Sequence, residues 1–233
     1  MPSTYARRVR SVLSEAERKI FRKLSSPRRI QDFIDTLAIN MEREAKTYMS
    51  PRRVLRTGQA HCVEGAMLAA AALAFHGERP LLLDFQAAYD DEDHVVALFR
   101  ENGHWGAISK TNHPGLRYRD PIHDSVRGLA ASYFHEYYLW DGRKSLRHFS
   151  QPFDLSRYAP ERWITAEADL DRLVHLLDAS VHMPIIPKGN LRRLRPASAF
   201  EIQASAAVEW LEDGRRTPLA PRDQRGRLIS QGS

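Results

Sequence analysis

Cys62 is the only cysteine in a chain of 233 residues, and its setting favours reactivity. The segment Cys62–Phe75 is crowded with alanine and is followed by Gly77, which predicts a helix ending in a left-handed cap. Cys62 stands at the amino end of that helix, where free backbone N–H groups and the macrodipole favour negative charge. Such a position lowers a thiol's pKa and makes the thiolate, the form that attacks carbonyl carbon. The same N–H groups offer an oxyanion hole. The competing use of the position is a buried, inert structural thiol.

A cysteine nucleophile needs a base within hydrogen-bond reach, and the base needs an orienting acceptor. His94 heads an apolar segment directly after the acidic stretch Asp90–Asp93, and Asp120 ends the extended segment after a tight turn. Neighbouring antiparallel strands can bring the head of one beside the tail of another, so these two positions can meet. Taken singly, His94 also reads as a surface histidine beside Asp93, and Asp120 as a turn former before Pro121.

Other chemistries fit less well. His135-Glu136 begins a zinc-peptidase helix motif, but Leu139 occupies the place of the second histidine. Asp90–Asp93 lacks the alternating ligands and central glycine of a calcium loop and reads as a solvated turn. No glycine-rich phosphate cradle is present. One cysteine allows neither an internal disulfide nor a thiolate-rich zinc site.

The elements around these residues can be read from periodicity and punctuation. Ser-Pro-Arg-Arg occurs at Ser26–Arg29 and at Ser50–Arg53, each time with serine as N-cap and proline in the first turn. The first start leads into Ile30, Phe33, Ile34, Leu37 and Met41, a helical face reaching about Ala45. The second opens a short helix stopping near Gly58. Pro80–Phe85 and His94–Arg100 predict strands, and Asn102-Gly103 predicts a hairpin to His104–Lys110. Leu116–Arg119 predicts a further short strand stopped by Pro121. Ser125 caps a helix bearing Leu129 and Tyr133, and two more helices are expected around Leu170–Leu177 and Ala199–Leu211. Helices, then an alanine-rich helix, then three or four antiparallel strands, then helices, make an α+β order rather than an alternating one.

The charge is uneven. Residues 1–30 hold nine basic against two acidic side chains, residues 188–233 nine against five, and the total is +6, so the body between is acidic. The expected organisation is a basic, partly disordered segment 1–25, a catalytic domain 26–160, a helical extension 161–213 and a disordered tail 214–233. The basic ends could hold an acidic partner; nucleic acid is disfavoured as a partner. The longest apolar stretch, Ala66–Phe75, is about half a membrane span, and the amino terminus lacks a secretory signal's apolar region. A cytoplasmic location without membrane contact is therefore expected.

Taken together, Gly58-Gln59-Ala60-His61-Cys62 entering an alanine-rich helix, His94 heading a strand, Asn102-Gly103-His104-Trp105, and Asp120-Pro121 resemble the core of the transglutaminase-like superfamily, over roughly residues 55–122. The resemblance implies a papain-like antiparallel sheet packed on the nucleophile helix. It further implies Cys62 as nucleophile, His94 as general base and acid, and Asp120 as orienter. Asn112, in the loop Lys110–Leu116 that lengthens the usual spacing, is an alternative orienter. Gln59 is a candidate oxyanion donor, and Trp105 a candidate substrate-binding residue. The implied reaction is thiol acyl transfer on an amide of a peptide or protein, as a peptidase, amidase or acyltransferase. That implied chemistry needs neither a metal nor an organic cofactor. The alternative is a non-catalytic peptide- or protein-binding module on the same fold.

Overall fold

The computed structural model describes residues 4–42 and 46–218. In chain order the elements are α1 (Thr4–Val12), α2 (Glu15–Lys23), α3 (Pro27–Thr36), β1 (Ala38–Ile39), α4 (Pro51–Thr57), β2 (Gln59–Ala60), α5 (Cys62–His76), β3 (Leu81–Gln86), β4 (His94–Glu101), β5 (His104–Ser109), β6 (Arg119–His123), α6 (Val126–Tyr133), β7 (His148–Ser150), β8 (Phe153–Asp154), α7 (Asp171–Asp178), β9 (His182–Pro184) and α8 (Ala199–Ser205). The fold is mixed α+β. Its main sheet is antiparallel with strand order β6-β5-β4-β3-β7-β9, and β8 pairs with the free length of β3 beyond β7. Among the described residues no helix is long and apolar enough to cross a membrane.

Helix α5 is the centre of the molecule. Every residue from Val63 to Phe75 is buried, with α1, α3 and α4 on one side and β3, β4 and β5 on the other. A run of alanine allows this because small side chains let neighbours come close on all sides. The approach is closest at Gly65, where an added Cβ would lie 2.5 Å from Lys110 Cβ. This contact seats the start of α5 on the end of β5.

The strands alternate between two cores. Leu82, Val95, Ala97, Phe99 and Ile108 join the core around α5, whereas Leu83, Phe85, Val96, Leu98 and Ala107 join a second core with Leu129 and Tyr133 of α6. A sheet covered on both faces explains the apolar runs Leu81–Leu83 of β3 and Val95–Phe99 of β4. Asn102 and Gly103 both have positive φ (48° and 87°), the primed turn that sets the β4–β5 register from Glu101↔His104 to Val96↔Ser109.

Several expectations need correction. Residues 4–24 are helical and not partly disordered: Ala6, Val9, Leu13, Phe21 and Leu24 are buried, and Ser14 with Glu17 forms a capping box. The arginines lie outside this apolar stripe, and Arg10 donates to the Phe75 carbonyl at the end of α5 (2.6 and 3.0 Å). Helix α3 stops at Thr36, well short of the expected end; Ala45 itself lies outside the described residues. The stop has a cause: the Lys110 ammonium takes the carbonyls of Ile34 and Leu37 (3.2 and 2.5 Å), and the chain then pairs β1 with β2 in parallel. Strand β6 runs through Pro121, which an edge strand tolerates because one side needs no donor. Residues 161–213 are not an appendage, since Trp163, Leu173 and Leu177 are core residues and β9 extends the main sheet. Helix α8 is shorter than expected, and residues 209–217 fold back through a Trp210↔Arg216 bridge. The rest of the expected tail, residues 219–233, lies outside the described residues.

Candidate active site

His61 is the N-cap residue of α5, and Cys62 is the first residue of the helix. The first intrahelical bond runs from Gly65 N to His61 O (2.9 Å), so the N–H groups of Cys62, Val63 and Glu64 have no acceptor within the helix. The positive end of the helix dipole therefore lies at Cys62. Glu64, fully buried, fixes this start from below. Its carboxylate accepts from His61 N (3.0 Å), Met49 N (2.9 Å), Thr47 Oγ1 (2.9 Å) and Asn40 Nδ2 (3.1 Å). Four donors offset a desolvation cost of several kcal/mol for a buried carboxylate, on the order estimated for real proteins.

Two imidazoles face the sulfur. Burial alone would raise the Cys62 thiol's pKa; hydrogen bonds from His61 and His94, and their positive charge, overcome it and bring the value down to about 5. Burial likewise pulls His61 down, but its bond to the thiolate, the charges of Cys62 and Glu64, and the Thr47 carbonyl raise it to about 9. His61 Nε2 donates to that carbonyl at 2.7 Å. Between these values the pair stands as thiolate and imidazolium.

His94 is held differently. Its Nε2 lies 2.8 Å from Ser109 Oγ, and the Ser109 hydroxyl gives its one proton to the Leu116 carbonyl (2.5 Å). Ser109 must therefore accept, so Nε2 carries a proton and Nδ1 is the nitrogen left for the thiol. Ser109 reaches His94 because the hairpin pairs it with Val96, two residues along the same face. Gln31 locks Ser109 in turn, accepting from its N–H (2.9 Å) and donating to its carbonyl (2.8 Å).

The thiol opens onto a two-lobed cleft. One lobe, about 760 Å³, reaches Asp84, Asp178 and His148; the other, about 530 Å³, reaches Lys110, Asn112 and Tyr137. His61, Cys62 and the loop 91–93 border both. Tyr137 is buried and donates to the Glu92 carbonyl (3.3 Å), holding that loop over the second lobe. Among the described residues no group of three or more His, Cys, Asp or Glu side chains is placed to hold a metal ion.

Known protein families and curated proteins match this chain nowhere.

Of the residues singled out from the sequence, the structure brings Cys62 and His94 together. Asp120 is not with them. Pairings Trp105↔His123 and Ala107↔Arg119 put it beside the far half of β5, about four residues or roughly 13 Å from the level of His94, and it is exposed. Ser109 occupies the orienting place instead. Asn112 borders the second lobe, but its amide is committed to the Trp210 backbone, accepting from N (2.7 Å) and donating to O (3.0 Å). Gln59 pairs with Ala38 and borders neither lobe. Trp105 also lies away from the cleft, packed on the second core beneath the Arg100 guanidinium (5.4 Å). Sequence reasoning missed His61, Glu64 and Ser109. For the first two a signal existed, because His61-Cys62-Val63-Glu64 places an acidic residue at the third helical position, as a capping motif does.

Proposed function

We propose that the chain is a cysteine-dependent enzyme acting on amides, on a transglutaminase-like, papain-related core. The observation that carries this reading is the Cys62 thiol at the start of a buried helix between two imidazoles, with its pKa drawn down to about 5. In the reaction, the Cys62 thiolate attacks an amide carbonyl, and the free N–H groups of Cys62 and Val63 receive the oxyanion. The C–N bond breaks as His94 Nδ1–H gives its proton to the leaving amine, forming a thioester. Water or a second amine then attacks the thioester, His94 takes up its proton, and the thiolate leaves. His61 serves as a standing positive charge that keeps the sulfur ionised through the cycle. Ser109 and Gln31 keep the His94 ring oriented, the part that Asp120 had been expected to play.

The second reading is a peptide-binding module on the same core. One observation favours it: His94 is oriented by a hydroxyl, which stabilises an imidazolium less than a carboxylate does. The rate of Cys62 alkylation by iodoacetamide between pH 4 and 9 separates the two. Alkylation with a midpoint near 5, lost in His61→Gln and weakened in His94→Gln, supports the enzyme. A midpoint at an ordinary thiol value of about 8.5, indifferent to both substitutions, leaves the binding module.

A further inference from the structure

Within the larger lobe lies a carboxylate that the acyl-transfer reading leaves unused. Asp84 sits on β3 at 1% exposure, with Oδ2 3.0 Å from His182 Nε2. His182 Nδ1 lies 2.7 Å from the Ser180 carbonyl, which only accepts, so Nδ1 carries a proton. A single shared proton therefore lies between Asp84 Oδ2 and His182 Nε2, and this couple leaves the other oxygen free. Asp84 Oδ1 is buried and has no hydrogen-bond partner among the described residues. Asp84 is among the residues that border the same lobe as Cys62, together with Asp93 and Asp178.

The surroundings call for a cation. Burial first, then the charges of Asp93 and Asp178, raise Asp84 to about 7 against the opposing pull of His182. Asp178 is raised as well, by burial and then by Asp93. Asp93 spends one oxygen on the Ala87 N–H (2.8 Å). Besides the His61 imidazolium, which is paired with the thiolate, and His148, the basic residues bordering the lobe among the described ones are Lys46 and Arg147, and the Arg147 guanidinium donates to the Lys144 carbonyl (2.8 Å). An ammonium or guanidinium entering here would gain three carboxylates and would give the Asp84 Oδ1 its missing donor.

The geometry points to a specificity subsite: Asp84, backed by Asp93 and Asp178, receives the cationic side chain of a lysine or arginine in the peptide whose amide Cys62 attacks. This rests on the amidase reading of Cys62. A positively charged substrate residue beside the scissile amide is drawn in by the acidic lobe and anchored on the buried oxygen, and an acidic or neutral residue is not.

The single thiol supplies the test. Methanethiosulfonates bearing ethylammonium, methyl or ethylsulfonate groups each form a mixed disulfide with Cys62 and release methanesulfinate. Their rates, normalised to mercaptoethanol, should favour the cation over the anion by at least tenfold. Asp84→Asn should cut that preference at least threefold and leave the neutral reagent within twofold. Asp178→Asn, an exposed change, should also lower it and covers the case where Asp84→Asn fails to fold. A cation-to-anion ratio equal to mercaptoethanol's, or unchanged in both variants, overturns the subsite. The neutral reagent judges the other reading separately, since slow reaction at pH 6 defeats the thiolate whatever the charge ratio. If the thiol is inert, thermal shifts with N-acetylarginine amide and its neutral analogue N-acetylcitrulline amide still decide. Stabilisation by the first alone upholds the subsite, and equal or absent effects overturn it.

Discussion

At the scale of single residues, the site is a set of proton assignments. Cys62 at about 5 and His61 at about 9 define a window in which sulfur is negative and imidazole positive. Alkylation should rise as pH climbs through about 5 and stay nearly flat to about 8, whereas a thiol freed by urea should show its midpoint at about 8.5. In His61→Gln the midpoint should move up by more than one unit, read from the same rate profile. Ser109→Ala tests the orienter. It leaves the His94 Nε2–H without an acceptor, at a cost of about 1–2 kcal/mol in urea unfolding. It should also slow acyl transfer by about tenfold or more, with thiol alkylation little changed. Cys62 and His94 were legible because a helix start and a strand head are local signals. Ser109 was not, because its partner depends on hairpin register, and a serine in a β arm carries no mark of its own. Asp120 misled for the matching reason: the expected strand ended at Arg119, whereas β6 begins there and its pairing with β5 could not be read from the sequence.

At the scale of elements, the helix start works only while α5, β5 and the 46–50 segment stay in contact. Glu64→Ala should remove the acceptor shared by four donors and cost about 3 kcal/mol or more, measured by denaturant unfolding. It should also raise the thiol's alkylation midpoint, because His61 loses its backbone anchor. Gly65→Ala places a Cβ 2.5 Å from Lys110 Cβ, so helix and strand must part. The expected cost is about 1–3 kcal/mol, as for overpacked cores. Helix starts at Ser26 and Ser50, the αL cap at Gly58 and the Asn102-Gly103 turn could all be read beforehand, each set by one or two residues. The end of α3 could not, because Lys110, 74 residues after Thr36, supplies the cap. Strands β7, β8 and β9 were equally hidden, being two or three residues long and made by pairing alone.

At the scale of the whole molecule, the basic amino-terminal segment is part of the core. Tyr5 Oη donates toward the Leu155 and Tyr158 carbonyls (both 3.1 Å) and accepts from Trp163 Nε1 (3.0 Å). Deleting residues 1–13 should uncover the α1-facing side of α5 and cost at least about 4 kcal/mol, or abolish the cooperative transition in urea. A disordered tail would come off without effect. The run of arginines suggested solvation, yet Tyr5, Ala6, Val9 and Leu13 carry a helical apolar stripe within it. Charge count outweighed periodicity in that reading, and periodicity reports burial more directly.

The segment that carries Thr47 and Tyr48 is itself tied to distant chain. Leu170 N donates to Tyr48 O (2.9 Å), Tyr48 N to Asp169 Oδ1 (3.1 Å), Ser50 Oγ to Ala166 O (2.6 Å), and Arg52 N to Ile164 O (2.9 Å). His61 leans on Thr47, so its imidazolium is placed only when residues 164–170 have docked. On the ribosome, then, more than a hundred residues beyond Cys62 must emerge before its sulfur gains that partner. Until they do, the nascent Cys62 lacks the full support of His61, so alkylation of a chain truncated before residue 164 should show a higher pH midpoint than that of the whole chain.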